Sequence, residues 1–489
     1  MSSEKYFSKF RNNIIGINQE FDSPYGKKKI IYADWIASGR LYEPIEKTLY
    51  NNFYPWVGNT HSESSVTGTS MTKAYVQAKK IIKQHVNAAQ EDVILFAGYG
   101  MTAAVNKFQR ILGLKVVEQL QRYTSIPKEE KPVVFLTHME HHSNQTSWLE
   151  TICDVVIIEP DGSGLVDLNH FDHLLKLYED RSLKIGSFTA SSNVTGISPP
   201  YHKMAKMIHE HGGICFVDFA AAAPYVAIDL HPSDPLEKLD AIFFSPHKFL
   251  GGPGSSGVLI FDSQLYKRKI PDNPGGGTVD WTNPWGHHKY IDDIEMREDG
   301  GTPGFLQAIK SALAIKLKDE MGVKNILARE HELLQTAFDR FDKIPSLHIL
   351  AQECRDRLGV ISFYVEDIHY NLMVKFLNDR YGIQVRGGCS CAGTYGHYLL
   401  HVDPTRSKRI TDKINQGDLS EKPGWVRLSL HPTMTDEELD IVLNGIEEVI
   451  RNAKTWSKDY TYSRKTNEYH HNTSSGKEYT AIENWFEID

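Results

Sequence analysis

The sequence predicts an α/β fold: a mostly parallel sheet with helices on both faces, followed by a smaller α+β domain. Three observations predict it. From Ile30 to about residue 262, short, mostly apolar, β-branched runs alternate with amphipathic helical stretches, and strands lacking a polar face belong in a sheet covered on both sides. After residue 262 strands become sparse and helices dominate, the mark of a second unit. A length of 489 residues, 40% of them hydrophobic and 24% charged, supplies more than one core and excludes wholesale disorder or a fibrous architecture.

Taken in order, residues 1–29 are polar, end in Lys27-Lys28-Lys29 and read as an N-terminal arm. The large domain spans 30–290. Its strand-like runs are Val93–Phe96, Val133–Leu136, Val155–Ile158, Lys184–Phe188, Ile214–Asp218, Ala241–Phe244 and Val258–Phe261. Helical patterns include Met71–Val86, Asp167–Tyr178 and Tyr201–His211, and Pro271–His288, rich in Gly, Pro and Trp, reads as an irregular loop. The small domain, 291–453, has helices from Phe305 to Glu320, Lys324 to Phe341, Tyr370 to Arg380 and Asp436 to Ala453, with strands Gly359–Val365 and Trp425–Leu430. Residues 394–424 read as a polar loop insertion, and 454–489 as a polar, aromatic tail without a period. No internal repeat is present.

The net charge is −8, which disfavours a partner built of phosphate backbone. Five cysteines, Cys153, Cys215, Cys354, Cys389 and Cys391, are too few and odd in number for a disulfide framework. The first residues lack the apolar segment of a secretion signal, and no run reaches the 18 apolar residues of a membrane helix. A soluble, cytoplasmic protein with no membrane association is expected.

Ligands of parallel sheets sit at the C-terminal ends of the strands, and four segments there could carry chemistry. Ser245-Pro246-His247-Lys248 follows the run Ala241–Phe244 and precedes Gly251-Gly252-Pro253-Gly254. A lysine at such a buried edge can act as nucleophile or Schiff-base former; an ordinary surface lysine is the plain alternative. Asp218 ends an otherwise apolar strand. A carboxylate there needs a cation or donors to offset desolvation, as a protonated pyridine nitrogen would; a turn or cap carboxylate is the alternative. Phe96-Ala97-Gly98-Tyr99-Gly100-Met101-Thr102 runs from strand through a glycine turn into a helix. The free amides at that helix start would hold a phosphate, with Thr102 adding a hydroxyl.

The fourth segment is His138-Met139-Glu140-His141-His142. It lacks the His-Glu-x-x-His order of helical zinc sites and lies at a strand-to-loop junction. No metal is expected; a histidine that stacks on a flat ligand or moves protons fits better. Gly252 to Gly257 matches G-x-G-x-x-G, but a strand rather than a helix follows, so it is no dinucleotide fingerprint.

The phosphate turn, the histidine, Ser191-Ser192-Asn193-Val194-Thr195-Gly196, Asp218 and Ser245-Pro246-His247-Lys248, in this order, resemble the pyridoxal-phosphate (PLP) enzymes of fold type I. Within them the sequence is most similar to the class V aminotransferase group, and there to cysteine desulfurases and selenocysteine lyases. Tyr32-Ala33-Asp34, Glu140-His141-His142-Ser143-Asn144 and Gly300-Gly301-Thr302-Pro303 add to the resemblance, which covers roughly residues 30 to 453.

The resemblance implies a PLP-dependent transferase fold and a role for each matching residue. Lys248 would form the internal aldimine with PLP and later remove the substrate's α-proton. Asp218 would pair with the pyridinium nitrogen, His141 would stack on the ring, and Asn193 would reach its phenolic oxygen. Thr102, Ser245 and His247 would hold the phosphate, with Met101 in the phosphate turn where the family carries a hydroxyl residue. Thr278, in Gly275-Gly276-Gly277-Thr278, matches the position that reaches a neighbouring subunit's phosphate, which implies a homodimer. Arg427 would receive the substrate carboxylate, a task suited to a guanidinium fork, assisted by Arg386.

Cys391 follows Tyr381-Gly382-Ile383-Gln384-Val385-Arg386 and aligns with the desulfurase loop cysteine. Its thiolate would take sulfur from PLP-bound cysteine, releasing alanine and leaving a persulfide for a sulfur-acceptor protein. Lys248, His141 and Cys391 are thus the catalytic candidates. A packed pair of thiols, a redox disulfide or a metal ligand are other readings of Cys389 and Cys391. The sequence departs from desulfurases at Ala221, where a glutamine is usual, at Ala103, and at Cys389-Ser390, where histidines are usual. C–S lyase, aminotransferase and epimerase chemistry are the other enzymatic outcomes, and a regulatory PLP-binding protein the non-enzymatic one.

Overall fold

The computed structural model describes residues 2–60, 63–473 and 477–488. The chain divides into two compact units, one of Asn13–Ile15 and Ile36–Leu327, the other of Met1–Asn12, Gly16–Trp35 and Ala328–Asp489. The division falls later than the expected boundary near residue 290, because helix Phe305–Met321 packs along helix Val66–His85 of the first unit.

The first unit is built on a seven-stranded sheet. Its strands are β1 (Val93–Ala97), β2 (Val133–Thr137), β3 (Asp154–Ile158), β4 (Lys184–Thr189), β5 (Ile214–Asp218), β6 (Ala241–Phe244) and β7 (Gly257–Phe261). Their order is β1-β7-β6-β5-β4-β2-β3, and only β7 runs against the rest. The apolar runs become buried strands, as a sheet covered on both faces requires: every residue of β2, β4, β6 and β7 is buried. Helix Met101–Ile111 is pinned to this sheet by Phe108, whose ring lies 5.0 Å from Phe216 and 4.9 Å from Phe261. Its N-terminus therefore sits at the strand ends that carry Thr189 and Asp218. The expected irregular loop 271–288 holds a short strand instead: Val279–Thr282 pairs with His288–Tyr290. The turn is closed by Asn283, whose Oδ1 accepts from the amides of Trp285 and His287.

The second unit holds a four-stranded antiparallel sheet of β8 (Leu347–Ile349), β9 (Val360–Val365), β10 (Arg386–Gly388) and β11 (Trp425–Ser429), in the order β8-β9-β11-β10. Helix Asp436–Trp456 packs its apolar face into the core of this unit and starts at a capping box of Thr435 and Glu438. Three segments are more ordered than the sequence suggests. The arm forms helix Ser3–Arg11 and a hairpin of Glu20–Ser23 with Gly26–Lys29, and Arg11 grips Glu438 with both terminal nitrogens. Residues 394–424 are not a loop: they contain helices Gly393–Leu399 and Pro404–Asn415, the second capped by Asp403 with proline at its first position. The tail forms a hairpin of Tyr460–Ser463 and Glu468–His471, anchored by Tyr460 edge-on to Phe376 at 5.1 Å. Among the described residues no helix is long and apolar enough to cross a membrane.

Candidate active site

At the C-terminal ends of the strands the first unit encloses a cavity of 650 Å³. Met101, Thr102, His141, Asn193, Asp218, Ser245, His247 and Lys248 all line it. Residues from five separate stretches of sequence thus meet in one place.

The turn after β1 sets the geometry. Gly98 adopts φ of +49°, and a Cβ on Gly100 would come within 2.9 Å of Ser245 Oγ, so only glycine lets the turn close onto the Ser245–His247 segment. The Met101 amide donates to Ser245 Oγ at 2.9 Å, and the Thr102 and Ser143 hydroxyls meet at 2.7 Å. His247 Nδ1 lies 2.9 Å from the Tyr99 carbonyl. A carbonyl only accepts, so Nδ1 carries the proton, and burial lowers the ring's pKa and keeps it neutral.

Asp218 is buried and accepts the Ala220 amide at 2.8 Å. Burial pushes its carboxyl up to about 6, although the Ala220 amide and the Lys248 charge favour the ionised form. A cation placed against it would restore the carboxylate. His141 caps helix His142–Leu149, its Nδ1 accepting the Ser143 amide at 3.1 Å. The neutral ring therefore carries its proton on Nε2. The preceding Glu140 is wholly buried: Oε1 accepts Thr137 Oγ1 at 2.6 Å and the Thr189 amide at 3.0 Å, while Oε2 accepts Asn144 Nδ2 at 2.8 Å. It ties the ends of β2 and β4 together beneath His141, and burial pushes its carboxyl up to about 7.

Four lining residues escaped the sequence reading, Thr189 and Ala220 at the strand ends and two on a helix. Asn106 and Arg110 follow Thr102 at intervals of four along helix Met101–Ile111, and both reach the cavity. That spacing was the available signal. Arg110 is held by Asp272 through two hydrogen bonds of 2.8 Å. Thr278 does not line the cavity; it is buried and its hydroxyl donates to the Gly275 carbonyl at 2.6 Å.

In the second unit Arg386 and Arg427 are register partners on β10 and β11, and both converge on Asp34. Arg427 Nη2 donates to Oδ1 at 2.8 Å and Arg386 Nε to Oδ2 at 3.1 Å. Arg427 is buried, whereas Arg386 is half exposed. Burial depresses the Arg427 pKa, opposed by Asp34 and by Cys391, which is close enough to act on it. Cys391 is exposed and, with Ser390 before it, adopts left-handed backbone at φ of +57° and +51°. Every cysteine is a free thiol. Among the described residues no group of three or more His, Cys, Asp or Glu side chains could hold a metal ion.

A lysine, an acid and a glycine turn gather at the strand ends of this sheet, the arrangement expected of a PLP-dependent enzyme of fold type I. The description of the aminotransferase class-V family matches residues 31–442, and the chain belongs to that family. A probable cysteine desulfurase of Halalkalibacterium halodurans is 26% identical over 431 residues, 87% of this chain and 95% of that protein. One of Staphylococcus aureus is 27% identical over 385 residues, 78% and 87% of the respective chains. Among solved structures, a cysteine desulfurase from Thermococcus onnurineus NA1 superposes with a TM-score of 0.73 at 22% identity, covering 91% of this chain and 98% of its own. A cysteine desulfurase from Escherichia coli, in S-sulfonic acid form, gives 0.71 at 22% identity with the same coverage.

Proposed function

We propose that the protein is a cytoplasmic, homodimeric cysteine desulfurase that holds PLP in the cavity of the first unit and takes sulfur from L-cysteine onto Cys391. The observation that carries the reading is the gathering of Lys248, Asp218, His141 and the phosphate turn around one cavity. The donor set suits PLP. The Met101–Thr102 helix start, Ser245 and His247 surround a turn where a side chain on Gly100 would not fit, and a dianionic phosphate suits such a helix start. Asp218, whose charge burial disfavours, is the acid a pyridinium nitrogen would hold ionised. When bound, PLP acts as an electron sink that acidifies the amino acid's α-hydrogen.

This chain's residues would do the rest. Lys248 carries the proton from the α-carbon. Arg427, with Arg386, receives the substrate carboxylate. The Cys391 thiolate attacks the substrate sulfur: an S–S bond forms, the substrate's C–S bond breaks, and its electron pair goes to the β-carbon, which takes a proton. Alanine leaves and sulfur remains on Cys391 as a persulfide, from which a thiol of an acceptor protein would take it. Thr278 would serve a second copy of the chain.

Cys391→Ser tests the reading. The variant should keep the cofactor's visible absorbance but form neither alanine nor persulfide from L-cysteine, measured by mass spectrometry in a single turnover. Alanine release at the unmodified rate would overturn it. Pyruvate and free sulfide from the unmodified enzyme would point to β-elimination instead.

A further inference from the structure

The C-terminal hairpin, Tyr460–Ser463 with Glu468–His471, lies beyond the residues that match the family. It is tied to the strand that leads into the cysteine loop. At its tip Asn467 is buried and takes left-handed backbone at φ of +61°. Each polar group of its side chain is engaged: Nδ2 donates to Tyr370 Oη at 2.6 Å, and Oδ1 accepts Tyr462 Oη at 2.7 Å. Its carbonyl accepts Asn371 Nδ2 at 2.6 Å. Tyr370 Oη in turn donates to the Lys422 carbonyl at 3.1 Å.

Tyr370 and Asn371 press directly on β10. A Cβ added to Gly387 would meet Asn371 Oδ1 and the Tyr370 ring, and one added to Gly424 would lie 2.7 Å from that ring and 2.8 Å from Gly388 Cα. The backbone of β10 therefore lies flush on these two side chains, and Gly388 leads straight into Cys389-Ser390-Cys391. Two consecutive non-glycine residues in the left-handed region, Ser390 and Cys391, are strained. Such a conformation persists only where the surroundings over-determine it.

We propose that the C-terminal hairpin is a brace that places Cys391 for sulfur transfer, with Asn467 as the positioning residue that acts through Tyr370 and Asn371. The inference rests on the desulfurase reading. A thiolate must approach the substrate sulfur along the C–S axis, and a misplacement of about 1 Å can cost on the order of a hundredfold in rate.

The test uses the PLP-loaded full chain with Asn467→Gly, which permits the left-handed turn but removes the side-chain hydrogen bonds. Tyr462→Phe removes one bond only, and Thr461→Ala, on an exposed position of the same hairpin, is the control. Three rates are followed: persulfide formation on Cys391 in a single turnover, iodoacetamide alkylation of Cys391, and solvent-deuterium exchange at the α-carbon of L-alanine. The last depends on Lys248 and not on Cys391. Asn467→Gly should slow persulfide formation by about tenfold or more and change the alkylation rate, with Tyr462→Phe intermediate. Alanine exchange and the Thr461→Ala control should stay within about twofold of the unmodified enzyme, a difference too small to reflect lost positioning.

Persulfide formation at the unmodified rate in Asn467→Gly overturns the proposal. So does an equal loss of alanine exchange, which would mean a general structural role. If Asn467→Gly does not fold, an unchanged Tyr462→Phe overturns it. An unmodified enzyme that exchanges alanine but forms no persulfide refutes the desulfurase reading itself; the alkylation rate then still decides whether the hairpin places the cysteine.

Discussion

Asp218 sits where stability and chemistry pull in opposite directions. Its carboxyl is wholly buried and pushed from an ordinary 3.8 up to about 6. The folded chain thus binds more protons than the unfolded one between those values, and stability contributed by the neutral acid is lost as pH rises through about 6. Asp218→Asn keeps the shape and cannot ionise. We expect the cofactor-free variant to be more stable than the parent at pH 7, by up to about 3 kcal/mol, with the difference shrinking towards pH 4. The same variant should bind PLP more weakly and turn over far more slowly, because nothing would hold the pyridinium charge. Denaturant unfolding at pH 4, 5.5 and 7 and an absorbance titration with PLP check both halves. A difference in stability independent of pH would refute the account. The position was legible in the sequence because a lone acid closing an apolar strand stands out, and the structure places it in the cavity lining. Arg110 was not, because an arginine in the last turn of an amphipathic helix normally faces solvent, and its anchor Asp272 lies far away in the sequence.

Most strands of the large sheet could be read because they are compact apolar runs, and burial on both faces leaves that pattern undiluted. The hairpin of the tail has no such signature. Its strands are four residues each, with Tyr460, Tyr462, Tyr469 and His471 spread over both, and they fold by aromatic packing and Asn467 rather than through an apolar face. The two helices of 394–424 were hidden by polarity, although Asp403-Pro404 is a helix start in plain view. The antiparallel strand β7 shows how an element shapes the cavity without lining it. A Cβ on Gly257 would fall 2.3 Å from the Gly100 carbonyl oxygen and 2.6 Å from that of Ala97. Both are backbone atoms, so the phosphate turn would have to move. Gly257→Ala should therefore lower PLP affinity about tenfold or more while costing about 1–3 kcal/mol of stability, measured by absorbance titration and thermal unfolding. Unaltered PLP binding would mean that the turn adapts and that its closure does not set the phosphate site.

The expected homodimer would draw on exposed apolar surface of the first unit. Large apolar side chains lie open to water in the single chain: Tyr50, Tyr54, Trp56 and Val57 in one stretch, Tyr99 beside the phosphate turn at 87% exposure, and Trp281 and Trp285 in the hairpin after Thr278. Scattered single residues of this kind are ordinary, but two of these places hold several aromatic residues, the kind of surface a partner would cover. Trp285, at 80% exposure on the turn that Asn283 closes, gains nothing where it stands unless something packs on it. We expect sedimentation equilibrium at micromolar concentration to give about twice the chain mass of 55.5 kDa, the usual two-fold assembly. Trp285→Glu should shift that mass towards the single chain, because a carboxylate in an apolar interface costs several times what the indole contributes. If Thr278 serves the partner's phosphate, the same variant must also lose PLP affinity, although residue 285 is outside the cavity lining of its own chain. A dissociated Trp285→Glu that binds PLP as tightly as the parent would confine the cofactor site to one chain, and a parent that sediments as a monomer would remove the shared site altogether.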